Sequence, residues 1–112
     1  GSLWGGLVQK DGGVLVWGMR GHVLRSSDLG RSWTDVPTGT DKSWSGGLEL
    51  ADGTIVLVGL DGAVATSTDG GRTFRTTIRP ERRSLAAAVA GASGQLVVAG
   101  LAGVGTHALA AP

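Results

Sequence analysis

The chain places its carboxylates and guanidinium groups in two recurrent settings, and each admits a different chemistry. Residues 26–33 read SSDLGRSW and residues 67–74 read STDGGRTF, so Asp28 and Asp69 each sit among hydroxyls and glycine-rich backbone. Such a carboxylate either ligates Ca²⁺ or accepts hydrogen bonds from the backbone N–H groups of its own turn. Ca²⁺ takes six to eight oxygens, which two carboxylates 41 residues apart do not furnish, so no metal site is expected. Asp28 and Asp69 are therefore read as structural. The second setting is cationic. It comprises Arg20 and Lys42, next to Asp41 and Asp61, and the run Arg79-Pro80-Glu81-Arg82-Arg83. Arginine forks hold carboxylate and phosphate bidentately. Two readings stand for Arg20, Lys42, Asp61, Arg79, Arg82 and Arg83: a partner-binding patch for anionic groups, or solvated loops with ordinary charges.

Other reactive groups are sparse. Most glycoside hydrolases need two carboxylates flanking one bond, but the only glutamates, Glu49 and Glu81, do not occupy repeated turns. His22 and His107 have no matching second ligand nearby, and no Ser-His-Asp arrangement is recognisable. The absence of cysteine excludes thiolate chemistry and disulfides. Ten Lys and Arg against nine Asp and Glu give a net charge of +1, too balanced to favour nucleic acid as a partner. No apolar run approaches the ~20 residues of a membrane-spanning helix, and no basic segment followed by an apolar stretch opens the sequence. Trp4, Trp17, Trp33 and Trp44 are candidates either for stacking on sugars or for packing between layers. No catalytic residue and no cofactor are expected within these residues.

The elements that must carry these groups follow from a repeat. A shift of 41 superimposes Ser2, Ser43 and Ser84, as well as Gly18, Gly59 and Gly100. Glycine accounts for 21 of the 112 residues, which suits many short strands joined by tight turns. In each repeat a first segment (LWGGLVQ, WSGGLEL, LAAAVAG) leads into an Asp-Gly or Ser-Gly turn, a hairpin signal. An apolar second segment (VLVWG, TIVLVG, QLVVAG) fits a strand covered on both faces. A Gly-x-x-Gly turn follows (GMRG, GLDG, GLAG), offering Arg20, Asp61 and Ala102 in turn. A third segment (HVLRSS, AVATST, VGTHAL) precedes the acidic turn, and a fourth (SWTDVP, TFRTTI) ends the first two repeats. The predicted fold is all-β, a partial β-propeller of about three four-stranded antiparallel blades. The blades span residues 2–42, 43–83 and 84–112, the last without its outer strand. Antiparallel order puts the first–second turn and the acidic turn on one edge, and the Gly-x-x-Gly turn and the inter-blade linker on the other.

The repeated turn resembles the Asp-box, or bacterial neuraminidase repeat, of sialidases, sortilin-type receptors and several glycoside hydrolases. The residues that carry the likeness are Ser26, Asp28, Gly30 and Trp33, with Ser67, Asp69, Gly71 and Phe74. The whole repeat, with its Asp-Gly, Gly-x-x-Gly and STDGGRTF elements, is most similar to the photosystem II stability/assembly factor family and its non-photosynthetic bacterial relatives. That likeness extends over essentially the whole chain, although nothing in it identifies a photosynthetic host. It implies a non-catalytic scaffold that binds or assembles proteins, periplasmic or secreted, with the ligand face on the linker edge. A sialidase would by resemblance use a tyrosine nucleophile, and the chain contains no tyrosine. The alternative is a piece of an Asp-box glycoside hydrolase or glycan-binding propeller whose catalytic residues lie elsewhere. Six to eight such repeats would need roughly 250–330 residues, so self-association, or continuation in the remaining blades of a longer propeller of which this is the C-terminal part, is expected.

Overall fold

Apolar stretches bounded by glycine turns form the strands of three antiparallel sheets. The computed structural model describes residues 2–90, 95–100 and 103–108. The first sheet contains β1 (Leu3–Val8), β2 (Val14–Gly18), β3 (Val23–Ser26) and β4 (Thr34–Asp35) in sequential order. The second contains β5 (Trp44–Glu49), β6 (Ile55–Gly59), β7 (Ala63–Ser67) and β8 (Arg75–Ile78), and the third β9 (Leu85–Ala90), β10 (Gln95–Gly100) and β11 (Gly103–Ala108). Every neighbouring pair is antiparallel, so each sheet is a simple meander. The only helical pieces among the described residues are the three-residue 3₁₀ turns Met19–Gly21 and Leu60–Gly62.

The repeated glycines explain the close joint between the first strand and the Gly-x-x-Gly turn. A Cβ on Gly18, Gly59 or Gly100 would lie 2.1 Å from the carbonyl oxygen of Ser2, Ser43 or Ser84 respectively, so no side chain fits. The gap is closed by main-chain bonds from Met19 N to the Ser2 carbonyl (3.0 Å) and from Leu60 N to the Ser43 carbonyl (3.0 Å). The turn then forces Arg20 (φ 57°) and Asp61 (φ 56°) into the left-handed region, which is costly for residues with a Cβ.

β4 is shorter than the six-residue segment SWTDVP suggests. Pro37 has no N–H to add to a ladder, and pairing stops after the bond from Val36 N to the Val23 carbonyl (2.9 Å). The Gly94 turn, Ala102 and the end of the third repeat lie outside the described residues.

The core sits between the sheets and repeats with them. One cluster joins Leu15, Trp17, Val23 and Val36 of the first sheet unit to Trp44, Ile55, Leu57, Ala63 and Ala65 of the second. The other joins Val56, Val58 and Val64 of the second to Leu85 and Val98 of the third. β6 is therefore buried along both faces, Ile55 and Leu57 toward the first sheet, Val56 and Val58 toward the third. The matching positions in β2 differ. Leu15 and Trp17 are buried against the second sheet, whereas Val14 and Val16 are only half-buried because no sheet covers them. Trp44 and Leu85 are buried against the preceding sheet, and their counterpart Leu3 is 50% exposed. Val97 and Ala99, the counterparts of Val56 and Val58 in the third sheet, are likewise only half-buried.

Candidate functional site

The two acidic turns are built the same way. Ser26 Oγ donates to Asp28 Oδ1 (2.7 Å) and accepts from Gly30 N (2.8 Å), while Asp28 Oδ1 accepts from Ser32 N (2.9 Å) and Oδ2 from Ser32 Oγ (2.5 Å). In the second turn Ser67 Oγ donates to Asp69 Oδ1 (2.7 Å) and accepts from Gly71 N (2.9 Å). Asp69 Oδ1 accepts from Arg72 N (3.1 Å) and Thr73 N (2.9 Å), and Thr73 Oγ1 donates to Oδ2. Gly30 (φ 88°) and Gly71 (φ 86°) hold the left-handed conformation these bonds require. Donors directed at the ionised form hold both carboxyls down, from 3.8 to about 2. The Ser32 hydroxyl contributes most at Asp28, and the Thr73 hydroxyl at Asp69. The oxygens of both carboxylates are thus engaged within their own turns.

The two turns differ in what covers them. Gly71 is buried against Leu15 and Ile55, and Phe74 packs on the core cluster between the first two sheets. Trp33, the counterpart of Phe74, has no preceding sheet and is 42% exposed.

On the opposite edge two of the five cationic residues, Lys42 and Arg79, are ion-paired. Lys42 Nζ lies 2.9 Å from Asp61 Oδ2, which raises the lysine pKa and ties the first linker to the second sheet's turn. Arg79 grips Glu81 Oε1 through Nη2 (2.6 Å) and Nε (2.8 Å), and its Nη1 lies 3.4 Å from His107 Nδ1. Burial, and then the Arg79 charge, depress the His107 pKa, with Glu81 opposing them. Arg20 donates its backbone N–H to Ser43 Oγ (3.1 Å), and Asp61 donates its own to Ser84 Oγ (3.2 Å). Arg82 and Arg83 are exposed, with Arg82 at φ 50°. The run therefore carries less unpaired charge than its sequence suggests, and the free part of it is Arg82 and Arg83.

Of the tryptophans, Trp17 and Trp44 lie in the core between sheets, with the Trp17 indole against Gly5 and Gly47, and neither is available to a ligand. Trp4 is 46% exposed on the uncovered first strand. Glu49 accepts the backbone N–H of Lys10 through Oε1 (2.8 Å), tying the first hairpins of two sheets together. Among the described residues no three His, Asp or Glu side chains converge.

Sequence reasoning passed over a group on the acidic-turn edge. The Gly70 carbonyl accepts from Gln9 Nε2 (2.6 Å) and Arg25 Nε (2.8 Å), both on the first sheet unit, and Arg25 Nη2 lies 3.6 Å from Asp11 Oδ2. Gln9 is buried where the second repeat has Leu50, and a polar residue at an apolar repeat position was the available signal. Arg25, Ser27, Ser32, Thr34, Asp35, Val36 and Arg72 line a pocket of about 220 Å³ beside this clamp. No family model and no curated protein matches the chain.

Proposed function

We propose that the chain is a non-catalytic segment of a β-propeller of Asp-box blades, like those of photosystem II assembly factor-type proteins, and serves as a protein-binding or assembly scaffold. The observation that carries this reading is the repeated burial pattern. Ile55 and Leu57 pack on the face made by Leu15 and Trp17, and the second sheet offers the equivalent face, Val56 and Val58, to the third. Each sheet therefore has one face of each kind, and a stack of them leaves two complementary faces open at its ends. Here those faces hold Leu3, Val14 and Val16 at one end and Val97 and Ala99 at the other. Units that bury their faces only on neighbours gain stability by stacking further ones. The occupants are then further blades or a second copy joined head to tail.

The linker edge supports protein recognition rather than catalysis. Its charges are either paired, as in Lys42–Asp61 and Arg79–Glu81, or exposed, as at Arg20, Arg82 and Arg83. An exposed cationic rim of that kind steers an acidic protein surface more than it adds affinity. The resemblance, in turn, favours an exported, periplasmic or secreted scaffold.

Capture of an untagged copy by a tagged one tests this, run beside an assay with fluorogenic sialosides and other glycosides. The expected outcome is capture that Leu3→Glu with Val16→Glu abolishes, and no turnover. Turnover above the blank, or capture indifferent to the double variant, would overturn the reading.

A further inference from the structure

We propose that the pocket on the acidic-turn edge, between the β3–β4 hairpin and the second acidic turn, binds an oxoanion, with inorganic phosphate as its simplest form. This edge lies opposite the linker rim and owes nothing to the scaffold reading.

Two guanidinium groups reach the pocket from different sheets. Arg25 has a side chain only 10% exposed, and the Gly70 carbonyl fixes its Nε at 2.8 Å. Its nearest carboxylate oxygen, Asp11 Oδ2, lies 3.6 Å from Nη2, longer than a charge-assisted hydrogen bond. Arg72 is anchored through Nη1 to the Asp69 carbonyl (2.9 Å). Among the described residues Arg25 Nη1 and Arg72 Nη2 have no hydrogen-bond partner, and neither do the hydroxyls of Ser27 and Thr34. Thr34 pairs directly with Arg25 across β3 and β4, which sets its side chain beside the guanidinium stem. The Ser32 hydroxyl is committed to Asp28 Oδ2 and is left as an acceptor. The pocket thus offers fixed donors from two backbones around about 220 Å³, several times the ~30 Å³ of one water.

Asp35 stands apart from these donors. Thr34 pairs with Arg25, so Asp35 shares the other face of the strand with Leu24, and its repeat counterpart Thr76 turns back to the Thr38 carbonyl of the preceding unit; the charged groups that face the pocket are therefore the two arginines. A tetrahedral oxoanion accepts from the arginines and from the Ser27 and Thr34 hydroxyls. Phosphate and sulfate both present such acceptor oxygens, whereas chloride presents none. A second pocket, of about 100 Å³ at the second linker, is less suited because its Arg79 is already held by Glu81.

The test is a titration of the full chain with inorganic phosphate, then sulfate, at neutral pH and constant ionic strength. Tryptophan fluorescence is one readout, because Trp33 lies between the lining residues Ser32 and Thr34; melting temperature is the other. Phosphate and sulfate are each expected to give a saturable signal, and chloride at the same ionic strength a response at least tenfold weaker. Arg72→Gln, an exposed position, is expected to weaken phosphate binding at least tenfold while leaving the melting temperature of the free protein unchanged. O-Phosphoserine binding as tightly as phosphate would show that the site takes a phosphoryl group carried on a larger molecule, and its exclusion would restrict the site to the free ion. Equal responses to phosphate and chloride in the unaltered protein, or phosphate binding unchanged in Arg72→Gln, would overturn the proposal.

Discussion

Replacing Ser67 by alanine separates the intrinsic strength of the acidic turn from the effect of its cover. Ser67 is 2% exposed, and its Oγ is the acceptor for Gly71 N at 2.9 Å. Gly71 itself is buried against Leu15 and Ile55, so no solvent reaches the N–H that the substitution orphans. Leaving a buried donor without a partner costs ~1–3 kcal/mol. The equivalent change in the first turn is milder. Ser26 Oγ accepts from Gly30 N at 2.8 Å, but Gly30 is half-buried with no sheet in front of it. Water replaces the lost acceptor there, and the cost falls toward the ~0.5–1.5 kcal/mol of an ordinary net hydrogen bond. For a domain of this size 1 kcal/mol corresponds to roughly 4–8 °C in melting temperature. Calorimetric melting of both variants, with urea midpoints as a second probe, is expected to show the Ser67→Ala loss at about twice that of Ser26→Ala. Equal losses, or a larger one for Ser26→Ala, would refute the claim that the inter-sheet packing seals the second turn.

Acid should act through the same turns. The Asp28 and Asp69 pKa values are depressed from 3.8 to about 2 in the fold, so the stabilisation they give is complete above about pH 4 and is lost as pH falls toward 2; a stability curve already declining above pH 5 would contradict this. Gly59→Ala puts a Cβ 2.1 Å from the rigid Ser43 carbonyl, whereas Gly53→Ala only strains a turn (φ 90°) with open space around it, a cost of ~1–3 kcal/mol. Gly59→Ala is expected to melt lower than Gly53→Ala, and the reverse order would argue against the strand–turn joint. At the linker rim, Arg82→Glu with Arg83→Glu should reduce retention on a polyglutamate matrix and flatten its salt dependence; unchanged retention would assign both residues to a solvated loop.

The sheets were legible in the sequence because a period of 41 makes each strand appear two or three times, and chance patterns do not recur in register. The joint at Gly18, Gly59 and Gly100 could be located by coincidence alone, but its cause, a carbonyl 2.1 Å from the missing Cβ, needed coordinates. Fully apolar second segments correctly implied cover on both faces for β6. For β2 the same inference overshot, because Val14 and Val16 depend on a neighbour that nothing in VLVWG can report. The pairing of Lys42 with Asp61 and the grip of Arg79 on Glu81 turned an apparently open basic rim into a partly neutralised one. Charge counts along a chain do not record such partners. The Arg25–Gly70 clamp was hidden for the opposite reason, because its residues are 45 positions apart and only the stacking of sheets brings them together.

The most direct measurement of the central claim is static light scattering on the 112-residue chain across a concentration series. Association that grows with concentration, and that Leu3→Glu with Val16→Glu suppresses without lowering the melting temperature, is the expected result. A soluble monomer at every concentration would contradict it, because the open faces around Val16 and Val97 would then not be the adhesive surfaces on which the stacked-sheet scaffold depends.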